Sequence, residues 1–250
     1  MAVINQLWSL SSIILVSLIT VNSLRFRGEP NTYAKFPVWN ACINASISFE
    51  FKTTQSNGLF LYTDNNGRYD FFEVALKDGS VQLRLNVVDE QDGSVEIVLG
   101  NNLNDNRWHS VVVKRKHFET ILQVDDTSSS KVAFGSDSGF GDRRKNNFVY
   151  FGGVPLGYAR DSRRSPLDET VTDAKFEGDL RNILYFNCTC IPERASVLNY
   201  QGVSREPRET CEINNRCPAD CPCVSVEGDS GCECKYKESC IAGKTYLIIN

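Results

Sequence analysis

The feature that most restricts this chain is a recurring two-residue alternation of apolar and polar side chains, in short runs separated by turn residues. Successive side chains of a strand point to opposite faces, so a period of two marks a strand with one face in a core. In the clearest run, Val81, Leu83, Leu85 and Val87 alternate with Gln82, Arg84 and Asn86. Phe72, Val74 and Leu76 precede it across Asp78-Gly79, a pair that accepts positive φ at the two central positions of a tight hairpin. Ile47, Phe49 and Phe51 alternate with Ser48, Glu50 and Lys52, and Leu59 and Leu61 follow a turn at Asn57-Gly58. Asp64-Asn65-Asn66-Gly67 reads as a loop. Further strands are predicted at Val95–Leu99, Trp108–Lys114, Thr120–Val124, Phe148–Phe151 and Asp179–Phe186. No amphipathic helix longer than two turns is found. Many strands without helices predict an all-β sandwich of two packed sheets, each with one apolar face.

Two segments interrupt the pattern. Gly135–Asn147 is polar and glycine-rich, and Gly157–Thr172 carries Arg160, Arg163, Arg164 and Pro166. Long irregular loops in a compact domain are commonly functional. Arg143, Arg144, Lys145, Arg160, Arg163 and Arg164 offer a basic surface for a sulfated glycan. Solvated loop charges are the plainer alternative. The chain as a whole is mildly acidic, with 31 acidic against 27 basic residues and a formal net charge of −4. That balance speaks against nucleic acid as the main partner, because phosphate binding draws on a clustered basic surplus.

The N-terminus points to the compartment. Residues Ile13–Val21 form an apolar run of nine, broken only by Ser and Thr. Spanning a bilayer takes about 20 apolar residues. With Val21 and Ser23 at the −3 and −1 positions of a cleavage site, residues 1–23 read as a secretory signal peptide, although no Lys or Arg precedes the run. No later run has membrane length. An oxidising destination makes disulfides the natural use of the ten cysteines. Cys42, Cys188 and Cys190 are spread over the first 200 residues, whereas Cys211, Cys217, Cys221, Cys223, Cys232, Cys234 and Cys240 crowd the end. This step in density predicts a large domain followed by a small crosslinked module. A zinc site is the rival reading of the cluster. Secretion also gives meaning to two N-glycosylation sequons, Asn44-Ala45-Ser46 and Asn187-Cys188-Thr189.

Catalytic chemistry is poorly represented. There are two histidines, His109 and His117, and His109 beside Trp108 on a predicted strand reads as a packing residue. No nucleophile elbow, zinc-protease helix or phosphate-cradling glycine loop is found. Sandwiches can host glycosidases, which need two carboxylates flanking the substrate. Asp70 and Glu73, three apart, would face opposite sides of one strand. An enzyme is therefore not expected.

Several stretches resemble a known family. The opening Leu24-Arg25-Phe26, with Tyr33-Ala34-Lys35-Phe36-Pro37-Val38-Trp39-Asn40-Ala41-Cys42, resembles the start of the first laminin G-like domain of α-neurexins. Ser48-Phe49-Glu50-Phe51-Lys52-Thr53, Gly58-Leu59-Phe60-Leu61-Tyr62 and Asp70-Phe71-Phe72-Glu73-Val74-Ala75-Leu76 agree with it. So do Asn106-Arg107-Trp108-His109-Ser110-Val111, Phe151-Gly152-Gly153-Val154-Pro155 and Phe176-Glu177-Gly178-Asp179-Leu180-Arg181-Asn182. The resemblance covers Leu24 to Tyr200 and implies a jelly-roll laminin G-like sandwich over residues 24–200. The cysteine-rich remainder, 201–250, is similar to the EGF-like module that follows this domain in α-neurexins. It departs in having seven cysteines, so one is left to pair with the body, to pair with another chain, or to stay free.

The resemblance further implies a calcium site at the sandwich rim, with Asp70, the carbonyl of Val87, and an acidic or amide residue of the loop before Phe151, Asp142, Asn146 or Asn147, as ligands. Calcium takes six to eight oxygens, so water or a partner would complete the shell. The alternative is that Asp70 only opens a strand. No other cofactor is implied. The function implied is extracellular recognition and adhesion of neurexin type, with protein or glycan partners at cell–cell contacts such as synapses. A structural matrix protein binding heparan sulfate is the alternative. The expected location is secreted, or the cell surface if the chain is part of a longer membrane protein.

Overall fold

In a computed structural model of the chain, the described residues are 23–40, 44–64, 71–86, 94–133, 148–156, 158, 174–186, 192–205, 223–226 and 229–232. The alternating runs form strands, seventeen among these residues, and they assemble into two large antiparallel sheets and one hairpin. The first sheet contains β1 (Ser23–Arg27), β3 (Asn44–Lys52), β8 (His109–Lys116), β9 (Glu119–Val124), β10 (Thr127–Val132), β12 (Glu177–Phe186), β13 (Pro192–Arg194) and β15 (Val203–Arg205). Its order is β10-β9-β8-β3-β12-β1-β15, with β13 also on β12. The second contains β2 (Tyr33–Phe36), β4 (Gly58–Asp64), β5 (Phe71–Lys77), β6 (Ser80–Asn86), β7 (Ser94–Leu99), β11 (Val149–Phe151) and β14 (Asn199–Gln201), in the order β14-β2-β11-β4-β5-β6-β7. The expected all-β sandwich is thus the observed one.

The inner faces meet in an aromatic core. Phe49 and Phe51 of the first sheet pack on Phe60 of the second, with ring centroids 5.6 and 4.4 Å apart. Phe60 continues to Phe176 at 5.1 Å, and Phe49 to Phe151 at 5.5 Å. All five are buried, each contributing up to about 3 kcal/mol of apolar transfer free energy. The glycine after Phe151 has a steric cause. Gly152 has φ +76°, and a Cβ there would lie 2.1 Å from a ring carbon of Phe26. The predicted hairpin forms as expected: Lys77 pairs with Ser80, and Asp78 and Gly79 both take positive φ.

Two expectations need correction, and one strand has no counterpart in the sequence reading. Asp64 is the last residue of β4 rather than a loop residue, paired with Phe71 across the strand. The sandwich also passes the boundary expected at residue 200. β14 runs to Gln201 on β2, and β15 pairs with β1, so edge positions of both sheets are filled by residues 199–205. Finally β10, TSSSKV, is a strand without apolar alternation, because as an edge strand it is exposed along its whole length. Of the cysteine-rich tail, the described part is the hairpin β16 (Cys223–Val226) and β17 (Asp229–Cys232), in which Cys223 and Cys232 are opposite backbone partners. β1 begins at Ser23, so cleavage after that residue would leave Leu24 to Arg27 in register with β12.

Candidate recognition surface

At one end of the second sheet lie the strand ends that flank several of the segments the sequence marks out. Register fixes this. Val149 pairs with Phe36, Asp64 with Phe71, Phe71 with Asn86, and Asn86 with Ser94. Tyr150 pairs with Tyr62, so the start of β11 lies beside the end of β4. The expected calcium ligands Asp70, Val87, Asp142, Asn146 and Asn147 lie outside the described residues. Their described neighbours do converge, since Phe71 and Asn86 are direct partners and the chain re-enters β11 at the same end. The basic residues Arg143, Arg144, Lys145, Arg160, Arg163 and Arg164, the sequon residue Asn187, and Cys42, Cys188, Cys190, Cys211, Cys217, Cys221, Cys234 and Cys240 also lie outside. Asn44 is described and opens β3.

Beside this end lies an unforeseen cluster built on Asp64, which is almost fully buried. The phenols of Tyr62 and Tyr158 donate to its two carboxylate oxygens at 3.0 and 2.7 Å. Two such donors stabilise an ionised carboxylate away from water. The Tyr158 ring meets Tyr150 and Tyr62 edge-on at 5.2 and 6.2 Å, and Tyr33 meets Tyr150 at 6.2 Å. Burial, then the charge of Asp64, then Tyr33 push the Tyr150 phenol above its usual value. Lys35 holds its ammonium 3.5 Å from the Phe148 ring centroid. Asp64 was hidden by the turn-forming residues after it. A visible signal was the spacing Tyr62-x-Asp64, which places both side chains on one face of a strand.

Farther along the same outer face, Arg84 on β6 donates through Nε to Glu73 on β5 at 3.0 Å, both residues being buried. Gln82 donates to Glu96 on β7 at 2.7 Å. Glu73 and Arg84 are direct register partners, whereas the Gln82–Glu96 bond is diagonal, since Glu96 lies opposite Arg84.

The outer face of the first sheet differs in chemistry. Between Arg181 and Leu184 the β12 register shifts, and Asn182 takes φ 52°. This bulge brings Arg181 Nε and Asn182 Nδ2 onto the Glu50 carboxylate at 2.7 and 2.8 Å. The Arg181 guanidinium also stacks on Trp108, 4.0 Å from the ring centroid. Next to it runs a shallow groove of about 150 Å³, lined by Ser46, Ser48, Ser110, Val112, Leu184 and Phe186 among others. His109 packs on Phe51 as the sequence suggests, but its ring nitrogens also face Asp125 at 2.9 Å and Asp105 at 3.0 Å. Arg107 and then His109 hold the Asp105 carboxyl well below its usual value.

This architecture and sequence match known proteins. The family model of the laminin G domain matches residues 51–187, more than half of the chain. The chain belongs to the laminin G domain family. Its domain is of the neurexin type: Neurexin 1 of Drosophila melanogaster is 31% identical over 247 residues, covering 89% of this chain and 13% of the relative. Neurexin-3a of Danio rerio is 28% identical over 225 residues, covering 86% and 12%. The chain therefore spans about an eighth of the length of these relatives. Among solved structures, domains LG4-5 of the mouse laminin alpha1 chain superpose with TM-score 0.60 at 18% identity, covering 79% of this chain and 51% of that one. The LG1-3 region of the laminin alpha2 chain gives 0.59 at 21% identity, covering 77% and 36%. At those identities the laminin structures establish the laminin G fold alone. No helix among the described residues is long and apolar enough to cross a membrane.

Proposed function

We propose that the chain is an extracellular, non-catalytic recognition module of neurexin type that engages protein or glycan partners at cell–cell contacts, with calcium bound at the crowded end of the second sheet. The observation that supports this most is the convergence at that end. Phe71 and Asn86 pair directly, and Asp70 and Val87 are their immediate neighbours in the chain. The segment carrying Asp142 and Asn146 leads into β11, which starts beside the end of β4. A rigid sandwich presenting long loops at one end suits recognition better than chemistry.

The test is binding by the secreted chain. Isothermal titration should show calcium uptake in the millimolar range or tighter, and Asp70→Ala should abolish it. No uptake by the wild type rejects the calcium site. A dimeric fusion of the chain should bind cells displaying extracellular adhesion proteins, and chelation should weaken that binding. Absence of any binding rejects the recognition role. Retention on heparin, lost on charge reversal of Arg143, Arg144, Arg160, Arg163 and Arg164, would instead favour a heparan sulfate-binding matrix role. N-terminal sequencing should find Leu24 first. Non-reducing peptide mapping should find an EGF-like set of bridges in the tail, with its odd cysteine joined to Cys42, Cys188 or Cys190.

A further inference from the structure

The sequon Asn44-Ala45-Ser46 is not on a loop but in β3, between β8 and β12. Asn44, Ser46, Ser48 and Glu50 share one parity, and the opposite parity, Ile47, Phe49 and Phe51, enters the core. The sequon asparagine therefore stands on the outer face of the first sheet, in line with the groove. Same-face residues two apart are separated by about 7 Å. Asn44 is thus one step from Ser46, where the groove begins, and two steps from Ser48.

The rows across the sheet define the groove's chemistry. Ser48 lies between Val112 and Leu184, and Ser46 between Lys114 and Phe186. Ser110, Glu50 and Arg181 close the far end. An apolar floor with hydroxyls and charge-bearing groups along it matches a pyranose ring, which offers a C–H face and polar edges. At about 150 Å³ the groove is smaller than the roughly 300–1,000 Å³ of pockets that hold free ligands. A tethered occupant is favoured at such a site, because linkage raises its local concentration without new contacts.

We infer that the occupant is this chain's own N-linked glycan. It is attached at Asn44, with its innermost N-acetylglucosamine units lying along Ser46, Ser48 and Leu184. Ser46 is 4% exposed in the folded chain, so glycan transfer must precede closure of β3 between its neighbours. The sugar then covers the outer face of the first sheet and leaves the end of the second sheet as the open surface. The inference rests on the extracellular reading.

The test uses the full chain secreted from mammalian cells. Mass spectrometry should find the Asn44 peptide glycosylated. Peptide N-glycosidase should release that glycan at least tenfold more slowly from the native than from the denatured protein. Ser48→Arg, which fills the groove from its floor, should bring the native rate close to the denatured one, while Lys131→Ala on exposed β10 should not. A secreted chain with bare Asn44 overturns the inference, as does equally fast release from native and denatured wild type. A chain that never enters the secretory route overturns the extracellular reading and, with it, this inference.

Discussion

The two sheets treat their outer faces differently. In the first sheet, β8 and β9 alternate between a buried inner residue and a partly exposed outer one. In the second, β4 is buried at every position, and β5 and β6 are buried except at their ends. Both sheets carry polar residues outward and bury several of them, Asp64, Glu73, Gln82 and Arg84 in the second and Ser46, Asp179 and Arg181 in the first, so the difference lies in the partners. The arginines of the two pairs, Arg84 and Arg181, are both buried, but the Glu73 side chain is 1% exposed whereas the Glu50 side chain of the first sheet retains 25%. A buried polar group must be paired, since leaving a charge without its partner costs far more than the pair contributes. The second sheet accordingly pairs Glu73 with Arg84, Gln82 with Glu96, and Asp64 with two phenols. Polarity in a strand therefore reports which face a residue takes, and says little about whether that face is wet.

The largest expected effect tests this contrast directly. Glu73→Ala leaves a buried guanidinium and should cost about 3–5 kcal/mol by denaturant unfolding. Glu50→Ala on the first sheet also leaves a buried guanidinium, that of Arg181, but should cost less, about 1–3 kcal/mol, because the Glu50 carboxylate it removes is itself reached by water. Equal costs would end the distinction between the faces. Next, Tyr158→Phe removes a donor from the buried Asp64 and should cost about 1.5–3 kcal/mol. Tyr62→Phe should behave alike.

Smaller effects separate the hairpins. Gly79→Ala in the second sheet forces a side chain to φ +75° against the Asn104 side chain, for about 1–2 kcal/mol. In the first sheet the β8–β9 turn already holds His117 at φ 56°, so His117→Gly should be neutral or stabilising by up to about 1 kcal/mol. A pH effect follows from Tyr150. Its folded phenol titrates above the ordinary 10.0, so its neutral form contributes stability that is present below pH 10 and lost as pH rises through the folded value. Tyr150→Phe should flatten the alkaline limb of thermal unfolding. The smallest change should be Lys114→Ala on the outer face of the first sheet, within about 0.5 kcal/mol.

How far each element could be read from sequence follows the reach of the forces that make it. The β5–β6 hairpin is legible because its apolar period and its two turn residues are local. The inward residues Ile47, Phe49, Phe51, Val81, Leu83 and Leu85 are all buried as their alternation demands. β10 was illegible, because an edge strand forms on its neighbour's backbone hydrogen bonds and leaves no apolar pattern. β14 and β15 were missed for a related reason: three residues each, they are strands only because β2 and β1 offer free edges. At the candidate surface, Asp70 and Val87 stand out by resemblance, whereas Asp64 does not, since its Tyr158 partner lies 94 residues away.

The amino-acid sequence by itself determined the class of fold, the strands that line the core, the tight hairpin and the two glycosylation sequons. Each depends on neighbours within a few residues. Only the tertiary structure decided that the outer face of β4, β5 and β6 is buried and its polar groups paired, that Phe71 and Asn86 are direct partners, and that Asn44 stands on the outer face of the first sheet in line with a groove. Those outcomes depend on register between strands far apart in the chain. A shift of one residue would turn every side chain to the other face, and no local pattern encodes which distant strand supplies the partner.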